Sequence, residues 1–406
     1  VKPSWDKDVQ VALTLDWSGM PAGWAIANSF HAGNRSYTGR CRVGDLENSF
    51  WGAGNFRLMR KKIHGKPVYV AVRGKWVFSD NELQERAMRI IGAERSFWKD
   101  NSEPHFLLSL VPFSESGHYN GSALHQAFFL GMSADSMASG QLTKLLAHEY
   151  MHRWIGGKLQ LAGREEAQYW FSEGFTEYYT YKVLYTSGYL TLPGYLGSIN
   201  RMLAEYYLSP VRTAVQQAAA DSFWLAPAFQ RLPYTKGFAY ALYLDASMQE
   251  RGTGSLDGFL FELLKAKGDS VFISGERFNA LLQQQGIPAD SLQQAWIANG
   301  GVIPVKALPL AARYTLKVRD LAAFELGFNA ATLKKGAPIG GVLEGSAAWD
   351  AGLRNGMLAE SYSIYYDQPG QPVVLNVRDG AETRRITYLP KKKQSVSVPQ
   401  YEGVED

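Results

Sequence analysis

The sequence has a single cysteine, no long hydrophobic run and little excess charge of either sign. Because Cys41 stands alone, no disulfide can form within the chain and no thiolate metal site is expected. No run of about 18 apolar residues occurs, so no transmembrane helix is predicted. The formal net charge is +4, and the basic residues are scattered apart from short clusters at 60–62 and 391–393. Nucleic acid is therefore a poor candidate for a partner.

Apolar side chains are plentiful, since 46% of the 406 residues are hydrophobic. A chain of this size can bury a large core, and we expect more than one domain. The sequence begins at Val1 without the charged and apolar segments of a signal peptide, which we interpret as a processed or cut chain. The low cysteine content favours an exported or periplasmic location over a cytoplasmic one.

Residues 141–155 combine helical periodicity with the pattern H-E-x-x-H. His148 and His152 are four residues apart, so on a helix they lie one turn apart on one face and can bind one metal ion. Glu149 follows the first histidine and can reach a water on that metal without binding the metal itself. The alternative is a chance motif, so other residues have to support the site.

Two carboxylates that support a metal site follow in the sequence E-G-F-T-E. Catalytic zinc usually has three protein ligands and one open position, and Glu173 is our third ligand. It comes after 20 intervening residues, which is room for one loop and the start of a second helix packed beside the first. Glu177 lies one turn further, and we expect its carboxylate to accept the outer ring N–H of a ligating histidine.

This constellation resembles the gluzincin metallopeptidases, in which H-E-x-x-H precedes a glutamate within W-x-x-E-G-F/I-x-x-Y-Y. Residues 170–179 read W-F-S-E-G-F-T-E-Y-Y. The gap between the second histidine and the glutamate is two residues longer than in the aminopeptidase N branch. The glycyl aminopeptidase branch lacks the W-I-G-G sequence found here at 154–157, but it carries a PDZ-like domain after its catalytic domain. The resemblance implies one Zn²⁺ per chain and a peptide or protein substrate.

The hydrophobic patterns divide the chain into four parts. Alternation at 1–62 predicts a β segment, interpreted as the remnant of an N-terminal β domain. Residues 63–304 show short strands before the metal helix and helices after it, as a gluzincin catalytic domain does. A β-rich pattern covers 310–390, and the basic, Pro- and Val-rich end at 391–406 is predicted to be disordered. Within these parts we predict a helix over 83–98 with its cap at 80–82, strands over 105–112 and 123–131, and helices over 195–208, 235–250, 255–267, 275–285 and 289–298.

The C-terminal part contains two stretches that resemble a PDZ domain. Residues 345–357 match its strand–helix–turn segment, and E-L-G-F at 325–328 matches the loop that receives a peptide C-terminus. Glu325 replaces the first glycine of that loop. The expected fold class is therefore α+β: a two-lobed thermolysin-like metallopeptidase domain, with a small sheet lobe and a helical lobe, between an N-terminal β segment and a C-terminal PDZ-like β domain.

The stretch P-Y-T-K-G-F-A at 233–239 resembles the P-Y-x-K-G-x-A segment of the aminopeptidase N branch. There the tyrosine hydroxyl donates to the oxyanion of the tetrahedral intermediate, and the resemblance carries this role to Tyr234. The alternative is a tyrosine that packs at the start of a helix.

One part of the family pattern is missing. Both branches place a glutamate on the strand before the metal helix, where it binds the free amine of the substrate. The corresponding residues 121–126 read G-S-A-L-H-Q, with Leu124 at the carboxylate position. His125 matches the family histidine, and we take His125 and Gln126 as candidate substrate-binding residues, against the alternative of a structural histidine. Strict aminopeptidase action is therefore doubtful, because a buried ammonium needs an anionic partner.

These residues together predict a zinc-dependent peptidase with Glu149 as general base and Tyr234 as oxyanion donor. One alternative is a weak or inactive peptidase scaffold that acts as a PDZ-type peptide-binding protein. Another is a zinc hydrolase of non-peptide amides. The intact Glu149 argues against the scaffold, which has no use for a general base.

Overall fold

A computed structural model describes residues 6–114, 119–134, 136–309, 314–366 and 368–403, and it combines helices with several small β-sheets. No helix in these ranges is long and apolar enough to cross a membrane. One hydrophobic core joins the central sheet to the helices, and a second core lies in the C-terminal part.

The first part of the chain forms two antiparallel strand pairs, β1 with β3 and β2 with β4. In β1, exposed and half-buried side chains alternate as the sequence predicts. The elements are β1 Gln10–Asp16, β2 Ala25–Asn28, β3 Ser36–Arg42, α1 Val43–Glu47 and β4 Trp51–Gly54.

A five-stranded sheet with the order β5-β6-β7-β9-β8 follows. Strands β6, β7 and β9 are parallel, whereas β5 and β8 are antiparallel edge strands. The strands are β5 Arg57–Ile63, β6 Lys66–Val72, β7 Phe106–Phe113, β8 Tyr119–Leu124 and β9 Ala127–Ser133. The boundary expected at 62/63 falls inside β5, one residue before its end, and β5 pairs with β6.

The predicted single strand over 123–131 is also wrong, because it is the end of one strand and the start of another. Strand β8 ends at Leu124, the chain reverses at His125 and Gln126, and β9 begins at Ala127. Gln126 has a φ of 49°, a left-handed conformation that suits a two-residue hairpin turn. The sequence signal is weak because neither turn residue is Gly, Asn or Asp.

Helix α2, Asp80–Trp98, packs against the metal helix α3, Ser136–Met151. The N-cap of α2 is Ser79 rather than a residue at 80–82. Ser79 Oγ accepts from the backbone N–H of Glu82 at 3.2 Å, while the Glu82 carboxylate accepts from the Ser79 N–H at 2.6 Å. This reciprocal capping box outcompetes a single acidic cap.

The chain is helical from Glu165 to Ala298 except for short connections. The helices are α4 Glu165–Ser172, α5 Gly174–Thr186, α6 Leu192–Leu208, α7 Gln216–Ser222, α8 Pro227–Arg251, α9 Leu256–Lys267, α10 Gly275–Gln284 and α11 Ala289–Leu292, which continues as a π-helix over Gln293–Ala298. The predicted start of the long helix at 235 is wrong: α8 begins at Pro227 and runs through Pro233. Tyr234 therefore lies within a helix and not at its start.

Helices α5 and α8 approach so closely that their backbones touch at two glycines. A Cβ atom built on Gly237 would lie 1.8 Å from the Trp170 carbonyl oxygen and 2.8 Å from the Gly174 Cα. A Cβ atom on Gly174 would lie 2.3 Å from the Gly237 Cα. Only glycine permits this approach, which brings the residue before Gly174 and the middle of α8 to the same part of the molecule.

The C-terminal part has a three-stranded antiparallel sheet, β11-β12-β13, and a separate two-stranded ribbon of β10 and β14. Its elements are β10 Tyr314–Phe324, a 3₁₀ turn Ala330–Thr332, α12 Ala347–Asp350, β11 Leu358–Ser363, β12 Val373–Asp379, β13 Glu382–Tyr388 and β14 Lys391–Gly403. A core of its own fills the space between the sheet and the one-turn helix.

The predicted disorder at 391–406 is wrong for 391–403, and 404–406 lie outside the described residues. Strand β14 pairs with β10 along its length and packs on α6. Asn200 of α6 donates to the Tyr401 carbonyl at 2.9 Å and accepts from the Tyr401 N–H at 2.7 Å. The polar sequence misleads because an edge ribbon exposes most of its side chains and gains its stability from backbone pairing.

The glycine contact predicts a large difference between two Gly→Ala substitutions. Gly237→Ala should destabilise the protein by about 3 kcal/mol, because the new methyl group has no space and the two helices must separate. Gly197→Ala, on the exposed side of α6 with nothing within 4 Å, should be neutral or stabilising by up to about 1 kcal/mol. Thermal unfolding of both variants measures this, and equal Tm values would contradict the tight contact.

Candidate metal and catalytic centre

Three side chains converge on one point between α3 and the α4–α5 junction. His148 Nε2 lies 3.3 Å and His152 Nε2 lies 3.4 Å from the same oxygen, Glu173 Oε2, and the two Nε2 atoms are 3.2 Å apart. Tetrahedral zinc at bond lengths of 2.0–2.1 Å separates its ligand atoms by about 3.3–3.4 Å. The three donors therefore fit a zinc ion, and this group is the one that satisfies metal-ligand spacing among the described residues.

The side chains of this group strongly shift one another's pKa values. Burial alone would raise the pKa of Glu173, but the two neighbouring histidines hold it well below its usual range. Burial alone would lower the pKa of His152, but the Glu173 carboxylate and the nearby Glu149 raise it to about 9. A carboxylate buried among imidazoles needs a cation there, and a metal ion provides one without protonating the ligands.

Helix α3 ends one residue before the second histidine, and not at Ile155 as the periodicity predicts. His152 lies in the turn that follows, and Gly156 takes a left-handed φ of 86°. This early end leaves the Ile155 carbonyl 3.1 Å from His152 Nδ1. If Nδ1 carries the proton and donates to that carbonyl, Nε2 keeps its lone pair for a metal.

Glu173 lies at the junction of α4 and α5, and Glu177 is one turn further along α5. The hydrogen bond expected between Glu177 and a ligating histidine is not present. Instead, Glu177 Oε1 accepts from Lys144 Nζ at 2.8 Å and from Arg231 at 3.4 Å. Glu177 Oε2 and His148 Nδ1 are both buried and have no hydrogen-bond partner in the part of the chain that the structure describes. Two cations hold the carboxylate because their attraction exceeds that of a neutral N–H.

Lys144 and Arg231 were missed in the sequence, although spacing gives a signal for each. Lys144 precedes His148 by four residues, which places it one turn earlier on the same face of α3. Arg231 precedes Tyr234 by three residues on α8 and also binds Glu205 at 2.7 Å. Both cations bind the Glu177 carboxylate, which lies close to His148.

Glu149 and Tyr234 face one cavity of about 360 Å³, which His148 also lines. The Tyr234 ring stacks on the His148 ring with centroids 6.0 Å apart. Burial and the Glu173 carboxylate raise the pKa of Tyr234, so its hydroxyl stays protonated and can donate. The edge strand β8 passes close to Glu149, since a Cβ atom on Gly121 would lie 3.4 Å from the Glu149 carboxyl carbon.

The three converging side chains are called the metal group below. A second, larger cavity of about 1010 Å³ lies on the other side of this group and is lined by His152, Glu173, Leu124 and His125. His125 is held from the N-terminal part: its Nδ1 is 3.3 Å from Asp45, and its ring packs on Phe30. Gln126 has no place in this lining, because its amide contacts His125 Nε2 at 3.0 Å instead.

The larger cavity contains two carboxylates besides Glu173, and both already have partners. Asp45 is bound by Arg42 at 3.0 Å. Although burial raises the pKa of Asp45, Arg42 and His125 together hold it below its usual value. Glu165 accepts from the Tyr169 hydroxyl at 3.2 Å. Leu124 itself offers no charge at the position where the family places its amine-binding glutamate.

Comparison with known proteins agrees with this geometry. Residues 141–246 match the model of the M61 glycyl aminopeptidase family, and this range holds the proposed ligands, Glu149, Glu177 and Tyr234. No curated protein matches the sequence significantly.

Solved structures extend the likeness to the fold. An aminopeptidase N family protein from Idiomarina loihiensis is 17% identical with a TM-score of 0.70, over 98% of this chain and 78% of that one. An M1 zinc metallopeptidase from Deinococcus radiodurans is 16% identical with a TM-score of 0.50, over 74% of this chain and 65% of that one. At these identities the likeness concerns the fold alone.

The match to the M61 family model, together with the similar fold of solved zinc metallopeptidases, identifies a zinc metallopeptidase. Within that class, residues 141–246 match the M61 glycyl aminopeptidase family, which confirms the resemblance seen in the metallopeptidase part of the sequence. Zinc is the cofactor that this class uses.

The site predicts one zinc ion per chain. His148→Ala and Glu173→Ala should each lose tight zinc binding, because three protein ligands leave no redundancy. His125→Ala is a matched control, since this histidine contacts Asp45 and is not one of the three converging side chains. Metal analysis of the purified proteins decides the point, and full zinc occupancy in both ligand variants would exclude the assignment.

Proposed function

We propose that this chain hydrolyses peptide bonds at a zinc ion held by His148, His152 and Glu173. The observation that carries the proposal is the convergence of the three donor atoms beside a cavity that Glu149 and Tyr234 face. A binding protein without catalysis does not need a carboxylate and a protonated phenol at such a point, so this arrangement favours an enzyme over a scaffold.

When bound, zinc polarises the scissile carbonyl and makes a water nucleophilic at neutral pH. Glu149 accepts the proton of the attacking water and passes it to the leaving amine. Tyr234 donates a hydrogen bond from its hydroxyl to the oxyanion that forms on the former carbonyl oxygen, as its raised pKa allows. The Ile155 carbonyl keeps His152 in its orientation while these steps proceed.

A peptide can reach this centre in an extended conformation along β8. This strand is one of the two edge strands of the five-stranded sheet, and its backbone passes beside Glu149. An extended substrate adds to such an edge through backbone hydrogen bonds. For comparison, a variant of the M1 zinc metallopeptidase from Deinococcus radiodurans has been solved with a Tyr-Ser-Ala substrate.

The two cavities support cleavage of internal bonds as well as terminal ones. His148 and Glu149 line the smaller cavity, and His152 and Glu173 line the larger one, so the metal group lies between them. A substrate can therefore extend from the centre in both directions. We propose an endopeptidase activity derived from an aminopeptidase fold, because Leu124 removes the amine anchor.

The C-terminal part is proposed to be a PDZ-like domain. Its separate core and the short helix α12 support this reading. Leu326 and Phe328 of the E-L-G-F loop are buried in that core. Glu325 brings a negative charge to the loop, which disfavours a peptide carboxylate there.

The general base is tested by Glu149→Gln, which is nearly isosteric and removes only the proton acceptor. The variant should retain zinc and lose at least about a hundredfold in kcat, the lower range for general-base contributions. Glu276→Gln, an exposed glutamate at the start of α10, serves as the control and should keep full activity. Cleavage of a mixed peptide library, read by mass spectrometry, supplies the substrate and the rate. A Glu149→Gln enzyme as active as the parent would refute the mechanism.

The missing amine anchor is tested with two peptides that differ only in an N-terminal acetyl group. The acetylated peptide should be cut at least as well as the free one, because no uncommitted carboxylate lines the larger cavity among the described residues. A preference for the free amine above about tenfold, or roughly 1.4 kcal/mol, would establish an anchor instead. In that event Asp45→Asn and Glu165→Gln identify which carboxylate provides it.

A further inference from the structure

Lys236 is a buried charge for which the proposed reaction has no use. It belongs to the P-Y-T-K-G-F-A stretch, two residues after Tyr234, and therefore points to a different side of α8. The residue is only 5% exposed, and its Nζ has no hydrogen-bond partner among the described residues. Burial lowers the pKa of Lys236 to about 8, which still leaves the ammonium mostly protonated at neutral pH.

Trp170 provides a second buried hydrogen-bond donor that has no partner among the described residues. Its side chain lies on α4, it is 6% exposed, and its Nε1 is buried without an acceptor in the described structure. Trp170 and Lys236 line one cavity of about 30 Å³ between α4, α7 and α8. Two buried donors, one of them positively charged, thus belong to residues that line the same space, and neither has a hydrogen-bond partner among the described residues.

The remaining walls of this cavity are mostly apolar. The apolar lining residues are Ala167, Ala214, Ala219, Leu232, Pro233 and Ile297. Glu166 also lines the cavity, but its carboxylate is engaged by Arg164 at 3.0 Å. Gln216 donates its amide to the Ala167 carbonyl at 2.6 Å. The lining therefore does not neutralise the ammonium.

Size and charge together restrict what can occupy this space. A volume of about 30 Å³ holds one or two water-sized particles, and it is too small for phosphate or a carboxylic acid with a side chain. A buried ammonium without a counter-charge is costly, and so is each unsatisfied donor. We propose that the cavity binds a single halide ion, chloride under ordinary conditions, between the Lys236 ammonium and the Trp170 indole N–H.

Water is the competing occupant. A water molecule can accept from both donors, but it leaves the charge of Lys236 uncompensated in apolar surroundings. A halide satisfies the donors and the charge together. The site is independent of catalysis, since neither Lys236 nor Trp170 belongs to the metal group or faces the Glu149 cavity.

Crystals of the full chain soaked in sodium bromide test the occupant directly. We expect an anomalous peak in the cavity, in contact with Lys236 Nζ and Trp170 Nε1. An ordered water that persists in bromide, or a cavity without an anomalous peak, would overturn the proposal.

Chloride titration at constant ionic strength, with gluconate as the replacement anion, tests binding in solution. The Tm should rise saturably, by about 1–2 °C when chloride exceeds its Kd roughly fivefold. Lys236→Met and Trp170→Phe should each abolish or weaken this rise, since one removes the charge and the other only the N–H. Lys265→Met, an exposed lysine on α9, is the matched control and should keep the full rise. An equal rise in all four proteins, or none in the parent, would contradict a halide at this site.

Discussion

The contact between the backbones of α5 and α8 at Gly174 and Gly237 is the constraint on which the centre depends. Glu173 directly precedes one glycine, and Tyr234 lies three residues before the other. Because no side chain separates the helices, the third donor and the phenol reach the histidines of α3 from one rigid support. Any larger residue at this crossing would move both groups away from the metal group together.

Electrostatics imposes a second requirement on the same small volume. Glu149, Glu173 and Glu177 all lie close to the two histidines, and three carboxylates in one place repel each other. Lys144 and Arg231 compensate Glu177, while the proposed zinc ion would compensate Glu173. Among the described residues Glu149 has no ion-pair partner, which leaves it free to accept a proton as a general base does.

Local patterns were sufficient for the parts of the centre that lie on one helix or one turn. The spacing of His148 and His152 determines a shared face, and the E-G-F-T-E stretch indicates a third donor nearby. Patterns failed where a distant partner decides the outcome. The ordering of β14 depends on its pairing with β10, about 80 residues earlier in the chain. The β8–β9 hairpin was missed for a local reason, because neither turn residue is Gly, Asn or Asp.

The sequence by itself determined the class of chemistry, because histidine and carboxylate spacing on a helix is a local property that needs no tertiary contact. It also showed that Leu124 cannot bind an amine. Only the tertiary structure decided that Lys144 and Arg231 bind Glu177, that Asp45 lines the larger cavity, and that Lys236 has no partner among the described residues. Each of these depends on side chains that are far apart in sequence, and the energy of a buried charge is set by what surrounds it in space.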